Sequence, residues 1–543
     1  LNNPLPTTPG TGLTAGQEAQ LATAARRQPV TTIAALKALT PSAGDAVNVL
    51  GYAAPGDGGG GQFYYDAAAS AADNGGTVIA PTAGSGRWKR IYSGAVSVMW
   101  FGAKGDGTTD DTAAVQAALT AATVGSTVML PTGTYAISST LTIAKRLNLV
   151  GPGTLVESTI LAPMLDIVAA GTGSLVTGLR FTGIETSGTF PGDTTALDRA
   201  AIRVVAADDV RVDGVSITAK SCGVRFVSSS NRGTVQNSQF LGFITGALAG
   251  SNNASAFSYS GGVDGRILNV TARNCGSGAL VQMGGTRITI AGLHAVGLWD
   301  NGVYISSGDR CVVTGCTIDS VQAATGSGIK TRGSGHVVSG NTINVSAVGI
   351  SLTGNGVTPD AEGANGYGTI AIGNTIDTTS LTGVLIGIQD GLYPRDFIAS
   401  RNVLRNNTGT TTNAPIILSG NGHVVSGNII DTFASTYAII ASGGAGTEIQ
   451  HIDISDNVVK NGGAGDGIRL VYVQNSQVRR NNIYSLTGNS IRLRYTSGVV
   501  VGENIVGTIN WDSSSPSTGG VCRSNDATSL IGDLSDVRVM LST

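Results

Sequence analysis

Six side chains between residues 309 and 396 are candidates for acid–base chemistry: Asp309, Lys330, Asp360, Glu362, Asp390 and Asp396. Two carboxyl groups flanking one glycosidic bond could hydrolyse it, one protonated as general acid and the other acting as base or nucleophile. A lysine with a lowered pKa, helped by a tyrosine or arginine, could instead take the proton that starts eliminative cleavage of a uronic acid chain. Tyr304, Arg332, Tyr367, Tyr393 and Arg395 share the stretch, and Trp299 just before it offers a face for sugar stacking. Lys330 is the only lysine between Lys220 and Lys460.

The elements that must position these groups form a repeat. The chain reads NGVYISSGDRCVVTGCTIDS at 301–320, GSGIKTRGSGHVVSGNTINV at 326–345 and VGISLTG from 348. Copies start at Gly302, Gly328 and Gly349, return at Gly383 and Gly467, and appear in looser form at Pro415 and Ala438. A second series, Asn341, Asn374, Asn402, Asn428, Asn457, Asn481 and Asn504, marks one turn per copy. Short strands of period two, joined by Gly, Asn and Ser turns, cannot bury an apolar face alone and must stack on the next copy. The expected fold is all-β, a right-handed single-stranded parallel β-helix.

Alternate residues share a face, so Tyr304, Ser306, Lys330 and Arg332 point outward while Ile329 and Ile350 point in. Two insertions, at 353–368 and 387–397, leave the chain after the same strand of adjacent coils and should stand side by side. An acid- and tyrosine-rich rim would then border Lys330 and Arg332. A second candidate cluster joins Glu185, Asp193 and Asp198 to Asp264, Arg266, His294, Trp299 and Asp300. GHVVSGN occurs at 335–341 and again at 422–428, so His336 and His423 are read as scaffold residues.

Composition removes several function classes. Lys plus Arg is 33 against 35 Asp plus Glu, which leaves no basic field for a nucleic-acid backbone. Apolar runs fall well short of the roughly 18 to 20 residues that cross a bilayer, so no membrane insertion is expected. Five scattered cysteines form no disulfide framework, although Cys311 and Cys316 could lie close together. No CxxC pair or histidine cluster suggests a metal, and no cofactor is expected.

In chain order, residues 1–30 read as a linker, 31–94 as a small β neck module, 95–511 as the β-helix and 512–543 as a linker with short terminal strands. Asp110 is placed to cap a helix whose apolar face is Ala114, Val115, Ala118, Leu119 and Ala122, closing the first coil. The segments FGAKGDGTTDDTAAVQAAL and LPTGTYAISSTLTI resemble the opening of the pectate-lyase-like β-helix superfamily. YAAPGDGGGGQFYYD, NGGTVIAP and GRWKRIYSG before them resemble the neck of phage tailspike depolymerases. GIKT at 328–331 resembles the RIKT motif of polygalacturonases, whose paired-Asp and GHG motifs this chain lacks.

The resemblance implies a homotrimer, attached to a virion tail through its N-terminal end, that binds and cleaves a bacterial surface polysaccharide outside the cell. Hydrolysis is preferred because acids outnumber bases in the insertions. The alternatives are a polysaccharide lyase and a non-enzymatic receptor-binding fibre.

Overall fold

Strands of two to nine residues, stacked on their counterparts one repeat later, wind the chain into a parallel β-solenoid. The computed structural model describes residues 29–540 apart from 162, 188–198, 245–253, 322–325, 346–347, 354–365, 379–381, 388–393, 408–413, 464, 485, 513–517, 524–525 and 533–537. Strand Asn301–Asp309 pairs in parallel with Ser277–Gln282 on one side and Ser327–Ser334 on the other. Ser327–Ser334 pairs in turn with Val348–Thr353, and the ladder continues at one coil per repeat. Val303, Ile329, Ile350, Ile416, Ile439 and Ile468 are fully buried in one core running the length of the helix, as the period-two reading requires.

Polar ladders lock the turns. Each Asn of the series donates its Nδ2 hydrogen to the Oδ1 of the next: Asn341 to Asn374 at 2.9 Å, Asn402 to Asn428 at 3.0 Å, Asn481 to Asn504 at 3.0 Å. That Oδ1 also accepts the preceding asparagine's backbone N–H, so buried polar groups that would otherwise be orphaned are satisfied. His336 and His423 are scaffold residues in the same sense. Nδ1 of His423 accepts from the Phe397 N–H at 3.2 Å, and its Nε2 donates to the Ser419 carbonyl at 2.9 Å. Cys311 and Cys316 are separately buried free thiols.

At the N-terminal end, strands Ala46–Val49, Gly61–Asp66, Arg87–Ile91 and Val78–Ile79 form an antiparallel four-stranded sheet in that spatial order. Its own core contains Leu36, Phe63, Ile79 and Trp88. Helix Thr112–Ala121 buries Val115, Ala118 and Leu119 in the solenoid core. Gln116 pairs its side-chain amide with both backbone groups of Thr142, at 2.8 and 3.1 Å, so the open edge of strand Leu141–Ile143 is closed by a side chain.

The cap position differs from the expected Asp110 by one residue. Asp111 precedes the helix, and its buried carboxylate accepts from the Lys104 and Gly105 N–H groups rather than from the helix. Asp110 is held outward by Thr112 and Ser138.

Candidate functional site on the outward face

The residue two places after each repeat-opening glycine or its substitute points out of the solenoid. Register aligns these residues, coil by coil, as Asp166, Arg203, Arg225, Ser258, Leu280, Tyr304, Lys330 and Ser351 and, after the coil of strand Val384–Gly387, as Ile417, Ile440, Arg469 and Arg492. Adjacent coils lie about 4.8 Å apart. The result is a strip along one sheet, rich in cations at both ends and in the middle.

The middle holds the best-developed chemistry. Lys330 is only 9% exposed, its Nζ 5.4 Å from the centroid of the Tyr304 ring, and the Arg332 guanidinium lies 5.7 Å from the same centroid. Both cations thus approach one aromatic ring, an arrangement that desolvation strengthens. Asp300, at the head of the strand that carries Tyr304, is half-buried and hydrogen-bonded by the Asn301 amide. Burial pushes its carboxyl up to about 6, with the Lys330 charge pulling the other way. A carboxylic acid in that range is suited to donating a proton near neutral pH.

Of the expected site residues, Tyr304, Lys330 and Arg332 are brought together. Asp309 is not among them. It ends the strand exposed to solvent, paired with Ser334, and its Oδ1 accepts the Ser334 N–H at 3.0 Å. Tyr367 and Arg395 stack in that same turn column, linked by a bridge to each other, with Arg395 bridged to Asn421. Asp396 follows at φ 56° as a left-handed turn residue. Asp309, Tyr367, Arg395 and Asp396 therefore form a ridge four to five residues, roughly 13 to 17 Å, further along the strand than Lys330. The reason is the length of strand Asn301–Asp309, which separates a turn acid from a mid-strand lysine. Asp360, Glu362, Asp390 and Tyr393 lie outside the described residues. Trp299 is half-buried next to Asp300.

The second expected cluster divides. Glu185, Glu157 and Lys220 are each 1% exposed, with the Lys220 Nζ 3.0 Å from a Glu157 oxygen and ion-paired to Glu185. Burial raises the Glu157 pKa. The three groups form a closed, buried ion cluster. Asp264 is tied to Arg287 at 2.6 Å, and Arg266 and His294 stand on other faces of the coil. Asp193 and Asp198 lie outside the described residues. Asp300 of that group reaches the Lys330 site.

Sequence reading also missed a cleft of about 540 Å³ near the start of the strip, lined by Asp166, Arg203, Arg225, Ser260 and Met283. Arg203 forks onto Asp166 with bonds of 3.1 and 2.9 Å. Extending the rule that takes the second residue after the repeat glycine back to Ala201 and Gly223 points to Arg203 and Arg225. The glycine in those coils is less regular, which hides the repeat.

Residues 29–93 match the family described as a phage tail protein small four-stranded β-sheet domain. Residues 95–351 match rhamnogalacturonase A/epimerase, pectate lyase-like. Over these spans the chain is a phage-tail β-sheet domain joined to a pectate lyase-like parallel β-helix. That is the makeup of a phage tailspike.

Among solved structures, the tailspike of E. coli bacteriophage HK620, in complex with a pentasaccharide, is similar at 15% identity and TM-score 0.48, covering 80% of this chain and 78% of that one. The enzymatically active domain of bacteriophage CBA120 tailspike protein 2 is similar at 14% identity and TM-score 0.37, with 80% of this chain and 58% of that chain covered. The catalytic domain of a GH87 alpha-1,3-glucanase gives 14% identity, TM-score 0.42 and coverage of 60% and 70%. None of the curated proteins matches the sequence.

Proposed function

We propose that this chain is a tailspike depolymerase that lays a bacterial surface polysaccharide along the outward strip and cleaves it by glycosidic hydrolysis, with Asp300 as the general acid. The observation that carries the reading is the half-buried Asp300 carboxyl, which accepts from the Asn301 amide at the head of the strand where Tyr304 pairs with Lys330, a setting in which burial raises its pKa. Lys330 and Arg332 would position hydroxyl or carboxylate groups, and the Tyr304 ring would support a sugar face. The partner carboxylate is proposed among Asp360, Glu362 and Asp390.

β-Elimination is the second reading. The mutual approach of Lys330, Tyr304 and Arg332 favours it, since a base, a proton relay and a carboxylate neutraliser are what that reaction needs. Release of reducing ends without the ultraviolet absorbance of an unsaturated uronate supports hydrolysis, and release with it supports elimination. Binding without either would make the chain a receptor-binding fibre.

The domain at residues 29–93 supports attachment to a virion tail through the N-terminal end, action outside the cell and assembly as a homotrimer. The solenoid domain of this reading runs from 95 to 511.

A further inference from the structure

We infer that the last coils carry a second, non-catalytic saccharide platform on the same strip, built from Tyr437, Arg469, Tyr472, Arg492 and Tyr495. The inference rests on the reading of the strip as a polysaccharide track.

It starts from a backbone conformation that works against the residues found there. The position three after the aligned outward residue turns the chain off the sheet, and it is left-handed in most of the described coils. Ala206 (φ 51°), Ser228 (φ 54°), Gly261 (φ 79°), Gly333 (φ 116°) and Gly420 (φ 102°) fill it with small residues, and Met283 (φ 54°) is the large residue among these coils. In the last coils the same position holds Tyr472 (φ 53°) and Tyr495 (φ 51°). A bulky side chain is disfavoured in that region, and the turn itself needs none. Two successive coils nevertheless place aromatic rings there, and the rings make a surface of their own. They stack on each other with centroids 4.5 Å apart and planes 12° apart, and the Arg494 guanidinium lies 5.2 Å from the Tyr495 centroid.

Beside this aromatic wall the strip changes from apolar to charged. Ile440 is followed by Arg469 and Arg492. Arg469 lies 4.8 Å from the centroid of the Tyr437 ring and donates to its hydroxyl at 2.9 Å. Arg492 donates to Asp512 at 2.9 Å and faces Asp466 at 3.9 Å, while Asn489 donates to Asp466 at 2.9 Å. Aromatic faces for C–H groups, planar guanidinium forks and fixed carboxylates for hydroxyls are the groups that hold a pyranose ring. Three arginines against two aspartates leave the patch cationic, which favours sugar units that carry a carboxylate.

Five coil steps separate Arg469 from Lys330, about 24 Å. A long chain can occupy both places, and a short fragment bound at Lys330 cannot. The platform thus raises affinity for polymer by a second attachment, without touching the chemistry.

The test uses the intact chain on an array of purified bacterial capsular and O-antigen polysaccharides, carrying forward the polymer that the wild-type chain retains. Tyr472→Ala/Tyr495→Ala should weaken polymer binding at least about tenfold. Tyr472→Phe/Tyr495→Phe, which keeps the rings, should bind as wild type, and turnover on short fragments of that polymer should be unchanged in both. Ser442→Trp, on the outward position paired with Val471, blocks the strip without altering the turn and should reproduce the loss. Wild-type polymer affinity in both the double alanine variant and Ser442→Trp overturns the platform. Retained binding with no bond cleavage by the wild-type chain would instead remove the depolymerase reading and leave the platform result standing.

Discussion

At the scale of single residues, the buried histidines show how burial separates scaffold from site. His423 is fully buried, and desolvation depresses its pKa to about 4. Its neutral ring is fixed by one accepted and one donated backbone hydrogen bond. Unfolded, the same ring takes up a proton near 6.5, so the unfolded state binds more protons between pH 6.5 and 4. Its contribution is complete above pH 6.5 and is lost as pH falls to 4, by roughly 3 kcal/mol at most. Unfolding measured at pH 7 and at pH 4.5 should show a shallower acid loss for His423→Gln than for the wild-type chain. Equal slopes would mean that the ring is not held neutral. Asp300 has the opposite character: its carboxyl is raised, so it keeps its proton where ordinary aspartates have lost theirs.

Among elements, the coil-to-coil ladders decide stability. Asn428 accepts from the Asn402 N–H and Nδ2, both at 3.0 Å, and donates to the Asn457 Oδ1 and the Ala399 carbonyl, both at 2.9 Å. Replacing it by Ala strands buried donors on Asn402, each costing about 1 to 3 kcal/mol. Asn428→Ala should therefore lose roughly 3 kcal/mol or more in denaturant unfolding, while Asn344→Ala, at an exposed strand position, changes little. Comparable losses would place the ladder outside the fold's main supports.

These ladders were legible in the sequence because one residue type recurs at one position of every coil. The inward register of Ile329 and Ile350 was legible for the same reason. The site was only partly so. Period two places Tyr304, Lys330 and Arg332 on the outward face, but it carries no information on how far along a strand a turn acid stands. Asp309 was accordingly placed with Lys330, although the strand carries it four to five residues further on. Glu185 looked like a loop acid because its partners, Glu157 and Lys220, are 28 and 35 residues away along the chain and meet it only through coil stacking. Asp300 carried no motif of its own, and its character comes from burial.

On the scale of the molecule, a phage-tail β-sheet domain stands before a solenoid whose one outward strip gathers a cleft, an acid–lysine–tyrosine centre and an arginine–tyrosine patch. If the chain assembles as the proposed homotrimer, light scattering on the intact chain should give about three times 54.6 kDa. A stable monomer at micromolar concentration would argue against the tailspike reading.

The central claim is that Asp300 delivers the proton for cleavage, and turnover on the polysaccharide retained by the wild-type chain tests it most directly. Asp300→Asn should lower kcat by about 100-fold or more with the fold and oligomer intact. The wild-type rate should fall as pH rises past about 6, where the acid loses its proton. Wild-type turnover in Asp300→Asn, with the same pH profile, would contradict the account.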